Sequence, residues 1–267
     1  MFKKRNYRKR VSKRRSVVGR RRSSVSVAVK KYVKSTISRN VEDKRNSSEN
    51  SFAIGSVSNS STLYARPVTP AGGFMTIAQG TGQGDRIGNV IKTKKCILRY
   101  ALFPVPYDIT VNPNPAPVEV LIILGYLKVT PCSTPTSAGI QQLYQIGNTT
   151  IGAQGDLGDL INPFNTDVWV IKKTMRHKIG YADNSGTGSR NGSQFYANND
   201  FKLNVVRSVD ITSIYPSKFV FQDTQTIPQN AGLFLMVQAI NADGTTSNAA
   251  NTKAFFEYTV DYHYEDA

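Results

Sequence analysis

From Ser51 onward, short apolar, β-branched and aromatic runs alternate with clusters of Gly, Pro, Asn, Ser and Thr, the punctuation of an all-β chain. Eight strands are predicted, near 52–65, 90–103, 118–129, 167–180, 201–213, 217–223, 232–241 and 253–264. Alternation is cleanest in FFEYTVDYHYED, where Phe256, Tyr258, Val260, Tyr262 and Tyr264 fall on one face of a strand. In NVIKTKKCILRYAL the phase slips around Lys94 and Lys95, as a β-bulge makes it do, and the faces of those two lysines stay open.

The connections are unequal. Residues 103–118, 131–166, 182–199 and 241–252 form long excursions of the kind that is usually functional or interfacial, and only SAGIQQLYQIG (137–147) looks briefly helical. Eight strands with long connections at their ends suit a single jelly roll, two packed antiparallel sheets, better than a tight meander. Loop 182–199, rich in Gly, Ser and Asn, is expected to be exposed. Residues 131–166 carry Leu143, Tyr144, Ile146, Leu157, Leu160, Ile161 and Phe164, apolar surface that must lie over a sheet or against a neighbour.

Ahead of the strands the pattern changes. Val25, Val29, Val33 and Ile37 stand four apart with Lys30, Lys31 and Lys34 on other faces, which is helical periodicity. All four are β-branched, Val25, Val27 and Val29 also fit a strand, and no strong cap precedes them, so a helix formed on a partner and an irregular arm both remain open.

Charge divides the chain again. Residues 1–45 hold 18 Lys or Arg against Glu42 and Asp43, while the remainder holds 16 basic and 16 acidic residues, so the whole formal charge of +16 sits at the N-terminal end. Like charges at that density repel and bury too little apolar surface to offset their ordering entropy, so residues 1–24 are expected to be disordered in isolation. The division is therefore a basic arm and tether over 1–50 and a shell of strands over 51–267. No apolar segment follows the charged start as a leader would require, and VEVLIILGYL is too short to cross a membrane, so no membrane insertion is expected.

The arm is the strong functional signal. Lys3, Lys4, Arg5, Arg8, Lys9, Arg10, Lys13, Arg14, Arg15, Arg20, Arg21 and Arg22 neutralise phosphates and release counterions, giving salt-sensitive binding with little sequence preference. Arg adds bidentate contacts to phosphate oxygens. Apart from Phe2, Tyr7 is the only aromatic residue before Tyr32, so base stacking is minor. The clusters KKR, RKR, KRR and RRR also match signals read by nuclear-import machinery.

Other motifs carry less. GTGQGD (80–85) has glycines at alternate positions, but strand-like residues follow where a phosphate cradle needs a helix, so it reads as a flexible connection. His177 and His263 sit within strands as surface or interfacial residues, with no nucleophile patterned around them, and no enzymatic activity or cofactor is expected. Asp156, Asp159 and Asp167 could hold a hard cation, yet lack the spacing of a calcium loop and read as loop or contact acids. Cys96 and Cys132 are too few for a disulfide framework or a structural zinc and are expected to be thiols. The sequons at Asn46, Asn59, Asn148 and Asn191 read as chance products of polar loops.

A basic arm, a neutral all-β body and the stretch IAQGTGQGDRIGNVIKTKKCILRYAL (Ile77–Leu102) together resemble coat proteins of small circular single-stranded DNA viruses, and the satellite RNA virus coats that those resemble. PVEVLIILGYLK, GLFLMVQAI and FEYTVDYHYED look like later strands of the same capsids, although VLIILGYLK lacks the Arg and Asp of the family's pattern. The resemblance implies one jelly roll, an inward arm on a packaged genome (DNA in preference to RNA) and sixty copies in a T=1 icosahedral shell. It also implies no catalytic site and a life divided between the virion and the host nucleus. The competing readings are a nucleic-acid-binding β module acting as a monomer or small oligomer, and a carbohydrate-binding or hydrolytic jelly roll that leaves the arm unexplained.

Overall fold

The computed structural model describes residues 26–40, 43–55, 64–67, 77–128, 142–185, 192–226, 228–230, 234–244 and 252–266. The chain divides into a unit ending at Asn40, in which α1 spans Val27–Asn40, and a unit from Val41 onward that contains the strands. The strands are β1 (Asp43–Gly55), β2 (Tyr64–Pro67), β3 (Val90–Pro104), β4 (Val118–Leu127), β5 (Tyr144–Ile146), β6 (Thr149–Ile151) and β7 (Trp169–Ile179). After them come β8 (Tyr181–Ser185), β9 (Gly192–Tyr196), β10 (Val205–Asp210), β11 (Lys218–Val220), β12 (Phe234–Asn241) and β13 (Thr252–Asp266).

Alternation in β13 decides the architecture. Ala254, Phe256, Tyr258, Val260, Tyr262 and Tyr264 all point into one core, and β3 adds Cys96, Leu98, Tyr100 and Leu102 beside them. The first sheet runs β1-β13-β3-β10, with β11 also pairing with β3. The second runs β2-β12-β4-β7, and every ladder in both is antiparallel. Setting aside the two side hairpins and β11, the strands counted in chain order run 1-8-3-6 in sheet A and 2-7-4-5 in sheet B. This is jelly-roll connectivity: most successive strands cross between sheets, so each sheet interleaves early and late parts of the chain.

Sheet B is apolar on both sides. Val120, Ile122 and Leu124 of β4 face the core between the sheets, whereas Leu121 and Ile123 face a second cluster with Leu143, Tyr144, Ala153, Leu160, Trp169, Met236 and Ile240. The excursion after β4 therefore covers the outer face of the sheet, as its apolar content requires. Each such fully buried side chain contributes about 1.5–3 kcal/mol by leaving water. Tyr144 stacks on Phe164 at 5.4 Å, while Ile146, Leu157 and Ile161 remain exposed.

Several boundaries differ from the sequence reading. The strand expected over 52–65 is two strands, β1 and β2, and β1 begins nine residues earlier, at Asp43. Residues 43–50 are thus strand rather than tether. Their polar side chains hide them: β1 is an edge strand recruited by backbone pairing to β13, and alternation on it reads weakly. The segment expected over 217–223 is only β11, three residues beside β10 on β3. Of the stretch expected to be helical, residues 144–146 form a hairpin with β6 around Gly147, whose φ is 59°, and residues 137–141 lie outside the described residues. Loop 182–199 is not wholly irregular, because β8 and β9 pair within it.

Candidate nucleic-acid interface

The twelve basic residues proposed to meet nucleic acid, Lys3 to Arg22, lie outside the described residues. What is described begins with α1. The Ser26 hydroxyl accepts a hydrogen bond from the Val29 amide at 3.2 Å, so a serine cap is present where none had been credited. Helix spacing wins over β-branching here, and Val27, Val29, Tyr32 and Val33 stand exposed beside Lys30 and Lys31.

The chain enters sheet A at Asp43, and the outer face of that sheet is charged from this end inward. The same alternation that buries Tyr258, Val260 and Tyr262 turns Asp261 and His263 of β13 outward, with Arg45 of β1 and Arg99 of β3 alongside. Asp261 is only 5% exposed, and three basic groups meet it. Arg45 donates through Nε at 2.5 Å and Nη2 at 3.0 Å, Arg99 Nη1 donates at 3.4 Å, and His263 Nε2 lies 3.4 Å away. Burial pushes the Asp261 carboxyl up, but the hydrogen bond and charge of Arg45, then Arg99 and His263, outweigh it and hold the group below the usual carboxylate range.

The phase slip anticipated at Lys94 and Lys95 is a bulge. β13 steps from Lys95 opposite His263 to Thr93 opposite Tyr264, leaving Lys94 unpaired in the ladder. Its ammonium reaches Asp43 at 2.5 Å and Glu265 at 2.9 Å, and Lys92 reaches Glu265 at 2.9 Å. These hydrogen bonds, Lys94 first and Lys92 next, lower the Glu265 carboxyl. Arg45, Lys92, Lys94 and Arg99 thus meet Asp43, Asp261 and Glu265 on this face, and the Asp210 carboxyl is lowered by hydrogen bonds from Thr212 and, after them, by the charge of Lys95, so cations and carboxylates interleave there.

The glycine-rich stretch proves to be a clasp rather than a flexible connection. Gly80 and Gly82 leave room for the Asp85 carboxylate, which accepts from the Gly82 amide at 3.1 Å; a Cβ on either glycine would sit 2.5 or 2.8 Å from Asp85 Oδ2. The next residue, Arg86, is fully buried. Its guanidinium donates to the Gly88 carbonyl (2.7 Å), Asn89 Oδ1 (2.9 Å) and the carbonyls of Gln222 (2.9 Å) and Gln225 (2.7 Å), and stacks over Phe221 at 4.6 Å. The Asp266 carboxylate accepts from the amides of Ile87 and Gly88, and Tyr264 donates to the Gly84 carbonyl at 3.0 Å. Both terminal nitrogens of the guanidinium are thus spent on the protein itself, while Arg86 Nε is buried without a hydrogen-bond partner.

His177 lies between the sheets, hydrogen-bonded to Tyr100, and His263 lies on the face just described. Asp159 is buried and accepts from the amides of Gln154 (2.8 Å) and Gly155 (2.7 Å) and from Gln238 Nε2; burial raises its carboxyl against these bonds. Among the described residues, no three His, Cys, Asp or Glu side chains converge as metal ligands. Cys96 is a buried free thiol whose pKa burial pushes up, which leaves it unreactive, and Cys132 lies outside the described residues. No helix among the described residues is long and apolar enough to cross a membrane.

No family model matches the chain, and no curated protein matches it. Among solved structures it is similar to the Merkel cell polyomavirus VP1 unassembled pentamer, at 10% identity over 85% of this chain and 97% of that one, with a TM-score of 0.24. It is also similar to Merkel cell polyomavirus VP1 in complex with GD1a oligosaccharide (10% identity, 84% and 96% covered, TM-score 0.22). A third is the structure of the Macrobrachium rosenbergii nodavirus (9% identity, 84% of this chain and 54% of that one, TM-score 0.23).

Proposed function

We propose that this chain is the coat protein of a small virus with a circular single-stranded DNA genome. Copies of the jelly roll assemble into an icosahedral shell, sixty in the T=1 arrangement, and the Arg- and Lys-rich arm condenses the genome inside. The observation that carries this reading is the division of charge. A formally neutral jelly-roll body packs against copies of itself without net repulsion, while an arm holding the whole +16 is neutralised only by a polyanion. The resemblance of Ile77–Leu102 and of the later strands to such coats points the same way. The tripeptide clusters KKR, RKR, KRR and RRR would carry the protein to the host nucleus for assembly into virions.

Sedimentation and electron microscopy of the purified full chain test this. Closed particles of uniform diameter containing nuclease-protected single-stranded DNA are expected. A monomer or small oligomer that binds nucleic acid without forming particles would replace the proposal with the nucleic-acid-binding module.

A further inference from the structure

On the open side of the sandwich, where β7 and β10 are the free edges of the two sheets, lies a cavity of about 590 Å³ with Arg176, Lys178, Lys202 and Arg207 on its walls. Among the described residues, Glu119 and Asp200 are the carboxylates lining it. Arg207 is placed here by alternation: it pairs with Tyr100, a core residue, and stands between Val205 and Val209, both of which pack on the core. A sheet closing on itself would use a valine there; this one turns a guanidinium into the mouth. Among the described residues Arg207 has no carboxylate partner.

The other cations are only partly compensated. Lys178 lies 3.8 Å from Glu119 and 5.4 Å over the Phe201 ring. Arg176 and Lys202 donate to the carbonyls of Leu160 and Asn198, which satisfies a donor without cancelling its charge. Lys202 is held beside β7 by backbone bonds, its amide to the Lys178 carbonyl (3.1 Å) and its carbonyl from the Gly180 amide (2.9 Å). Three of the four cations thus stand on strand backbones, Arg176 and Lys178 on β7 and Arg207 on β10, with Lys202 held beside β7 at the same opening. A groove of equal volume over sheet A has Glu49, Glu257 and a single guanidinium, Arg99, and so lacks any positive excess.

We propose that the mouth between β7 and β10 is a phosphodiester-binding site of the shell domain itself. In it Arg207, Arg176 and Lys202 hold a backbone phosphate of single-stranded nucleic acid. Guanidinium forks from two strands suit phosphate oxygens, and the volume, within the range of about 300–1,000 Å³ typical of ligand pockets, accommodates the adjoining sugar as well. The proposal rests on the genome-packaging reading and adds a second, ordered contact to the arm.

The test uses the full chain with an oligothymidine as probe. Lysine acetylation read by mass spectrometry should show Lys178 and Lys202 protected by the oligonucleotide, with the exposed Lys128 and Lys218 unprotected. Replacing both Lys202 and Arg207 by Ala should lower the slope of log affinity against log salt by about 0.7–1.4 units, one or two phosphate contacts, whereas Lys128→Ala with Lys218→Ala should not. Equal acetylation of Lys202 with and without oligonucleotide overturns the site, whether or not the double variant folds. An unchanged slope also overturns it when Arg20, Arg21 and Arg22 to Ala still flattens the slope, and the packaging reading then stands. No affinity of the full chain for oligothymidine at all sinks both. Protection by heparin but not by oligothymidine overturns the site in favour of a sulfated polysaccharide.

Discussion

Tyr100 Oη and His177 Nε2 lie 2.6 Å apart, so one hydrogen bond ties β3 of sheet A to β7 of sheet B across the open side of the sandwich. Burial first, and the nearby Arg207 charge second, depress the His177 imidazole below its ordinary 6.5. The unfolded chain therefore takes up this proton at higher pH than the folded one. The stability linked to His177 is complete above 6.5, declines as pH falls through that value, and stops declining below the depressed folded value. Urea midpoints should fall between about pH 7.5 and about pH 5.5, and His177→Gln should remove much of the fall. An identical fall in the variant would refute the assignment. Tyr100→Phe should cost about 0.5–1.5 kcal/mol near neutral pH.

Arg86→Ala should be among the most damaging single changes in the chain. It strands three carbonyls and an amide oxygen, empties a fully buried site and removes the stacking on Phe221, for a cost of about 3–5 kcal/mol in chemical denaturation. Lys at the same site keeps the charge but cannot fork to two pairs of oxygens, so it should recover only a minor part.

Asp261→Ala leaves Arg45, Arg99 and His263 facing one another on the outer face of sheet A. A loss of about 1–3 kcal/mol is expected near neutral pH, as for hydrogen bonds to a charged group. Because the folded carboxyl is held low, the stability it adds is present above the unfolded carboxylate range and disappears as pH falls through the folded value. Wild type and variant should therefore converge in strong acid, and a gap that persists there would argue against the ion cluster.

Leu160 and its neighbour Ile161 separate folding from assembly. Leu160 packs in the cluster on sheet B, so Leu160→Asp buries a charge and should lower stability by several kcal/mol, on the order of 3–5. Ile161 is 82% exposed, so Ile161→Asp should leave the unfolding midpoint unchanged and yet lower particle yield if this surface meets another copy. Particles of normal yield from Ile161→Asp would remove that residue from the contact.

The arm should act through charge alone. Arg20, Arg21 and Arg22 to Ala should flatten the salt dependence of single-stranded DNA binding by about two units with no change in base preference. Removing residues 1–24 should leave the circular-dichroism signature of a folded β protein, because every strand of the sheets lies beyond them.

The core was legible wherever burial imposes a period of two. Phe256 to Tyr264 show it without interruption, and even the bulge at Lys94 announced itself as a break in that period. β1 was illegible for the opposite reason: Lys44 is buried by a bond to the Asp85 carbonyl at 2.6 Å, a partner forty-one residues away that no local pattern reveals. The clasp around Arg86 looked like loose glycine because its acceptors are backbone carbonyls of a distant segment. Arg207 was missed because a lone arginine among valines reads as outward-facing until the register with Tyr100 turns it in. In general, periodicity reports burial along one strand, whereas a site depends on which strands become neighbours.

β13 lies between β1 and β3, bonded along nearly its whole length to both, so the middle of sheet A is made after both of its neighbours. Until residues through Asp266 have been synthesised, β1 and β3 have nothing between them, and the apolar face of β3 waits uncovered on that side. Closure then requires contacts between residues more than two hundred positions apart, which makes it slow and leaves earlier intermediates open to aggregation. A message cut short before β13 therefore leaves sheet A without the strand that joins β1 to β3, so folding of the shell depends on translation through Asp266.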